Sequence, residues 1–375
     1  MNGTVAIDVT AAVTQRAGVG RYTRELFEAL AGLADVPTLR PFYIAPDARY
    51  SLAAGAAPIH VDKAIRSWRL EMLARHLARA PAHGPWDGAD VYHAPDVVYP
   101  PVRRMPVVMT VHDLSYLVYP RYHTRLNGGY LRLITPAVTR RAGLIIADSE
   151  ATRRDLVERA HVAPRKVRVI YPGISALFRR PPPPDRLRAV RERYGLPDAF
   201  ILSVGTLEPR KNLAGTLRAY RLLRNRLGDA PPLALVGDAG WRLDEADLFG
   251  AQEDPSLRRL GFVPDEDLPA LYAACSAFVY PSFYEGFGLP VAEALALGAP
   301  VVTSNLSSLP EVAGDAALLV NPRDVEDIAA ALARVLQDDA LATRLRTAGP
   351  ARAARFTYEH CARRTVDVYE EALGG

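Results

Sequence analysis

The sequence predicts an α/β protein of two Rossmann-like domains, and three observations carry that expectation. At 375 residues the chain exceeds what one hydrophobic core ordinarily serves. Short aliphatic runs at Val5–Val9, Val107–Val111, Leu144–Ala147 and Val167–Ile170 alternate with longer helix-like stretches, as in a parallel sheet covered on both faces. A second such series runs through Phe200–Val204, Leu233–Val236, Phe278–Tyr280, Pro300–Thr303 and Ala317–Val320. Between them Phe178–Asp185, with its run of prolines, reads as a stiff connector belonging to neither core. The boundary is expected within 172–198, giving a first domain over 1–180 and a second over 195–357.

Composition excludes several classes. Hydrophobic content of 49% and charged content of 23% are those of a folded globular chain. No apolar run reaches the roughly 18 residues of a membrane helix, and Met1–Val13 lacks the basic start and apolar stretch of a signal peptide, so a cytoplasmic protein is expected. Cys275 and Cys361 stand far apart without metal-ligand spacing and read as buried thiols. The net charge of +4 is uneven: residues 1–172 hold 23 Lys and Arg against 15 Asp and Glu. Within that basic half, Lys63–Ala80 interleaves Arg66, Arg69, Arg75 and Arg79 with apolar residues. A solvated helix face is the favoured reading; contact with an anionic membrane surface at the inner face of the plasma membrane is the alternative. No nucleic-acid-binding pattern accompanies the charge.

Chemistry concentrates in Pro281–Leu295, PSFYEGFGLPVAEAL. A buried strand ends at Pro281, and a helix begins with Pro290 in its first turn, where the missing N–H costs nothing. Such a helix start aims unsatisfied N–H groups at the loop Gly286, Phe287, Gly288 and Leu289, and the two glycines allow close backbone approach by an anionic ligand. Glu285 and Glu293 would repel a phosphate, so they are assigned to neutral hydroxyls on different sugar rings, which a nucleotide sugar supplies. The segment Val204–Asn212 follows another strand and opens a helix, placing Arg210 and Lys211 to hold a diphosphate and neutralise a departing nucleotide. Gly18 and Gly20, after the first strand, form a Gly-x-Gly that could set backbone amides on phosphates; Thr23 in place of a third glycine removes the nicotinamide reading. His112 and Asp113 end a first-domain strand. Tyr116, Tyr119, Tyr122 and His123 follow, either lining an acceptor pocket or packing an ordinary loop. Asp265 and Asp267 suggest a metal-holding Asp-x-Asp, but they precede an apolar helix whose capping explains them. No metal or cofactor is implied.

Two glutamates separated by seven residues after a Pro-Ser strand end resemble the signature of the retaining GT-B glycosyltransferases of family 4. The likeness spans nearly the whole chain and is dense from Ser203 to Pro322. It implies two Rossmann-like domains facing across a cleft, the first binding the acceptor and the second the nucleotide sugar, with a final helix, 358–375, crossing back to the first. It implies Glu285 beside the donor sugar, Glu293 on the ribose, His112 facing the sugar, and the backbone of Phe262 and Val263 near the base. Where many relatives carry arginine directly after the glycine, this chain has Thr206, which leaves the division of labour between Arg210 and Lys211 open. The expected activity is metal-independent, retaining transfer of a hexose, mannose from GDP-mannose first, to a glycan or lipid-linked acceptor in surface-polysaccharide assembly. UDP-glucose or UDP-N-acetylglucosamine donors, an epimerase or phosphorylase on the same scaffold, and a nucleotide-sugar-binding protein without catalysis are the alternatives.

Overall fold

Seven strands build the first sheet: β1 (Thr4–Asp8), β2 (Thr38–Ile44), β3 (Ile59–Val61), β4 (Val91–Ala94), β5 (Val107–Val111), β6 (Leu144–Ala147) and β7 (Val167–Val169), in the order β3-β2-β1-β4-β5-β6-β7. All pairings are parallel. The computed structural model describes residues 3–16, 18–52, 57–238, 248–249 and 254–374. Period-two alternation sends Val5 and Ile7 to one face and Ala6 to the other. On the first face they meet Leu26, Phe27 and Leu30 of helix Val19–Ala31, and on the second Ala6 joins Trp68, Met72, Ile134 and Val138. The centre is therefore buried on both sides, as β4, β5 and β6, buried at every residue, require.

The second sheet comprises β8 (Ile201–Val204), β9 (Leu233–Val236), β10 (Leu257–Gly261), β11 (Ala277–Tyr280), β12 (Val301–Ser304) and β13 (Ala317–Val320), ordered β10-β9-β8-β11-β12-β13 and again parallel. Each sheet reverses its order once, between β1 and β4 and between β8 and β11. In open parallel sheets such reversals leave a crevice at the carboxyl ends of the strands.

The chain forms two units, Met1–Gly173 with Phe356–Gly375, and Ile174–Arg355. Helix Tyr358–Gly374 belongs to the first unit: it packs on helix Val19–Ala31, buries Cys361 and Tyr369, and Tyr369 Oη lies 2.6 Å from His93 Nδ1. Gly173 permits this return, since a Cβ there would sit 2.2 Å from the Tyr358 nitrogen. Both cysteines are free and buried.

Four strands escape the sequence pattern. β2 contains Pro41, β3 is a short edge with Ile59 exposed, β4 carries His93, and the edge strand β10 exposes two arginines. The expected connector is also revised. Phe178 is buried, its ring edge-on to Tyr272 at 6.0 Å, and Pro184 opens helix Pro184–Arg193, so residues from Ile174 onward join the second unit. Asp267 does not cap with its side chain. Its buried carboxylate instead accepts from Arg186 at 2.5 Å and from Arg193 and Tyr194 at 2.9 Å, fastening helix Pro184–Arg193 to helix Leu268–Ala274. Those three donors occupy the oxygens a metal would need.

Candidate active site

The loops after β8 and β11 meet at the second sheet's reversal. Pro209–Lys211 make one 3-10 turn, and Asn212, left-handed at φ 59°, starts helix Leu213–Leu227. Its amide donates to the carbonyls of Pro281 (3.2 Å) and Pro322 (2.7 Å), tying the two loops together. Arg210 donates to Glu285 Oε2 at 2.7 Å, to the Tyr284 carbonyl at 2.7 Å and to Glu208 Oε1 at 2.5 Å. Lys211 donates to Glu285 Oε1 at 2.8 Å and to the Tyr280 hydroxyl, which itself lies 2.9 Å from the same Glu285 oxygen.

Arg210, Lys211 and Glu285 thus form one ion cluster around the buried Glu285, where the sequence suggested separate phosphate and sugar contacts. Burial opposes ionisation of Glu285, but Arg210 and Lys211 overcome it and hold the carboxyl down at about 2. Lys211 is lowered from its ordinary value, by burial first and by Arg210 second, against the pull of Glu285. An ammonium carries three N–H donors, and among the described residues Glu285 and Tyr280 take two, which leaves one for a ligand oxygen.

The glutamate loop is braced from the segment after β12. Ser307, at φ 52°, accepts from the Glu285 N–H at 2.9 Å, and Ser308 Oγ lies 2.9 Å and 2.8 Å from the carbonyl oxygens of Glu285 and Phe287. Gly288, at φ 104°, starts helix Leu289–Ala296; a Cβ there would strike Leu309 at 2.6 Å, so the glycine serves backbone geometry and packing. Gly286 and Phe287 are buried, and Leu289 is partly so. Glu293, on that helix and also buried, accepts from the Tyr272 hydroxyl at 3.2 Å. Val263 is buried beyond β10, on the approach to the helix that carries Tyr272.

In the first unit His112 follows β5. Its Nδ1 lies 2.7 Å from Asp148 Oδ2 and its Nε2 lies 2.8 Å from the Pro95 carbonyl. Both partners only accept, so both nitrogens donate and the ring is an imidazolium. Burial works against this charge, yet Asp148 outweighs it and raises the group to about 9. Tyr22 stands edge-on to the ring at 4.7 Å. Gly18 starts helix Val19–Ala31 at φ 58° and faces open space. A Cβ at Gly20 would lie 2.1 Å from the Gln15 carbonyl, so close packing of the helix start also demands glycine there. Asp113 accepts from Ser115 N–H at 2.8 Å and Oγ at 2.6 Å, shaping the turn into helix Ser115–Val118. The acceptor-pocket expectation for Tyr116 is corrected, because its side chain is buried in the core with its hydroxyl 2.6 Å from Thr135 Oγ1.

Sequence reasoning missed Glu208, Tyr280, Asp148, Ser307 and Ser308. Tyr280 and Asp148 had a usable signal, since each lies at the carboxyl end of a strand, where His112 was sought. The serines had none, because they act through backbone atoms of a distant loop.

Family models match in both halves: Glycosyltransferase Family 4 over residues 16–176 and Glycosyl transferases group 1 over residues 189–352. The chain is 35% identical over 367 residues to the O-antigen chain mannosyltransferase B of Escherichia coli, covering 94% of this chain and 96% of that protein. It is 33% identical over 273 residues to the serotype-specific mannosyltransferase WbdA of Escherichia coli, covering 71% of this chain and 33% of that protein. Its fold is similar to sucrose-phosphate synthase from Thermosynechococcus elongatus, with a TM-score of 0.74, 20% identity and 99% of each chain covered.

Proposed function

The chain is a member of the family 4 glycosyltransferases, and from that premise we propose that it transfers a hexose, mannose from GDP-mannose, to a hydroxyl of a glycan or lipid-linked acceptor in O-antigen-type polysaccharide assembly. The mannosyltransferase relative spanning 94% of the chain supports the sugar. The observation that carries the mechanism is the Arg210–Lys211–Glu285 ion cluster at the second sheet's reversal. Lys211 and Arg210 stabilise charge growing on the leaving diphosphate, Glu285 holds both cations in place beside the donor sugar, and Glu293 accepts from ribose hydroxyls. The bond from the anomeric carbon to the phosphate oxygen breaks while the acceptor oxygen bonds on the same face, and the acceptor proton passes to the leaving phosphate. This gives retention without a metal. With both ring nitrogens engaged by Asp148 and the Pro95 carbonyl, His112 is a fixed charge and no base.

Lys211→Ala and Arg210→Ala should each lower turnover by about 2 to 4 kcal/mol of transition-state stabilisation. Lys211→Arg, which keeps a charge beside Glu285, separates chemistry from folding. Rates would be compared across GDP-mannose, UDP-glucose, UDP-N-acetylglucosamine and UDP-galactose, with and without chelator. Normal turnover in both alanine variants would overturn the cluster's role, a different preferred donor would overturn mannose, and loss of activity in chelator would overturn metal independence.

Among the described residues no helix is long and apolar enough to cross a membrane. Helices Ile65–Ala78 and Arg125–Arg141 adjoin through Arg69 and Tyr130, and they expose Leu70, Leu77, Leu126 and Leu133 among Arg66, Arg125 and Arg132. We propose that this face rests on anionic lipid at the cytoplasmic side of the membrane. Co-sedimentation with phosphatidylglycerol vesicles should exceed that with phosphatidylcholine and fall in a Leu126→Ser, Leu133→Ser variant; equal recovery on both lipids would sink the idea.

A further inference from the structure

The first sheet also carries a pocket at the amino ends of its strands, the side remote from its reversal crevice. Helices Ile65–Ala78 and Arg125–Arg141 both finish there, and the connection from β4 enters β5 at Val107 beside them. Between these three segments lies a concavity of about 270 Å³, and every charged residue that lines it is an arginine: Arg79, Arg103 and Arg141, one from each segment. The buried Tyr99 and Val107 form its floor. Arg141 is set in place from beneath by a buried histidine. His76 Nε2 lies 2.8 Å from the Tyr99 carbonyl, and its Nδ1 lies 3.3 Å from Arg141 Nη1. The carbonyl only accepts and the guanidinium only donates, so the ring is neutral with its proton on Nε2, and it orients the arginine without cancelling its charge.

The backbone bears a cost to present the other two. Arg79 stands just past its helix at φ 55°, a place glycine usually fills, and Arg104, next to Arg103, is left-handed at φ 62°. A helix dipole draws cations to its carboxyl end, which accounts for Arg79 and Arg141 singly. It does not account for Arg103, which a loop brings to the same concavity. Acids do not neutralise the group either. Glu71, on the helix that Arg79 follows, is taken by Lys63 and Arg75; helix Arg125–Arg141 contains no acid; and Asp96, at the far end of the β4 connection, accepts from the Val97 N–H. Among the described residues no carboxylate pairs with any of the three arginines. Three like charges around one concavity repel, and a ligand anion relieves them. Guanidinium forks match phosphate oxygens in pairs, and a phosphate monoester carries about two negative charges where a carboxylate carries one. Val102 and Met105 add an apolar wall, which suits a phosphate borne on carbon.

We propose that this pocket binds the phosphate group of an organic phosphate, with Arg79, Arg103 and Arg141 as its ligands. A soluble phosphate ester and the headgroup of an anionic lipid offer the same chemistry, and the test separates the two sources. The pocket lies wholly within the first unit, so it stands or falls without the transferase reading, whose cations belong to the second.

The test uses the full chain with two probes, glycerol 3-phosphate in calorimetric titration and vesicles of phosphatidic acid in phosphatidylcholine in co-sedimentation. At least one probe should bind the wild type and weaken about ten-fold or more in an Arg103→Gln, Arg141→Gln variant. That probe should bind Lys211→Ala within about two-fold of the wild type, so that the signal does not come from the second unit's cations. It should do the same with Arg218→Gln, Arg258→Gln, which removes two exposed charges of the second unit. Both substituted pocket arginines are exposed, so their variant should melt with the wild type; should it fail to fold, Arg79→Gln decides in its place. Loss of glycerol 3-phosphate binding in the pocket variant assigns the site to soluble esters, and loss confined to the vesicles assigns it to a lipid headgroup. Neither probe bound by the wild type, equal binding by the pocket variant, or an equal loss in the Arg218→Gln, Arg258→Gln control overturns the site.

Discussion

At the scale of single residues, what a side chain does here follows from which partners its environment leaves it. His112 illustrates this: a neutral imidazole offers one donor, but Asp148 and the Pro95 carbonyl ask for two. Its folded value of about 9 lies above the ordinary 6.5, so its stabilising contribution is full below pH 6.5 and is lost as pH rises through 9. A shift of that size corresponds to about 3 kcal/mol. Thermal melts from pH 6 to 10 should show stability falling across that window in the wild type and a flatter profile in His112→Gln. Parallel profiles would show that the ring is not held as a cation.

At the scale of elements, the same logic explains why helix Pro184–Arg193 is part of the second unit. The helix is strongly polar and buries only Val190 of its own residues, so little apolar area holds it. Asp267, with its side chain 1% exposed, anchors it through Arg186 and Arg193. Both arginines are partly exposed, which moderates the interaction, and removing the acid's charge should cost about 2 to 4 kcal/mol. A simple helix cap would be worth about 1 kcal/mol. Urea unfolding of Asp267→Asn and Asp265→Asn distinguishes the two: a loss confined to Asp267→Asn is expected, and equal small losses would return Asp267 to an ordinary capping role.

At the scale of the whole molecule, the chain's last helix is built into the core of its first unit. Tyr369 is fully buried, and its hydroxyl meets His93, which burial pushes down to about 3 and so keeps neutral. Tyr369→Phe should cost about 1 kcal/mol for the hydrogen bond, and Tyr369→Ala about 3 to 5 kcal/mol for the cavity. Denaturation of the full-length variants checks this order. A change under 1 kcal/mol in Tyr369→Ala would mean that the helix contributes little to the unit it packs against.

Sequence by itself determined what local pattern encodes: two series of aliphatic strands, the helix start after Gly288, the acidic pair Glu285 and Glu293, and the basic turn at Arg210 and Lys211. These are signals of neighbouring residues, set by period, glycine and proline. The strands it missed lack that local signal: β3 and β10 are exposed edges, β2 is interrupted by proline, and β4 is a four-residue strand broken by His93. Tertiary structure alone decided which side chains share a partner. It joined Arg210 to Glu285, spent Tyr116 on the core, and made Asp267 an anchor. The physical reason is that parallel strands adjacent in a sheet can be far apart in the chain, so the chemistry at their carboxyl ends is fixed by strand order and burial, neither of which a local stretch of sequence contains.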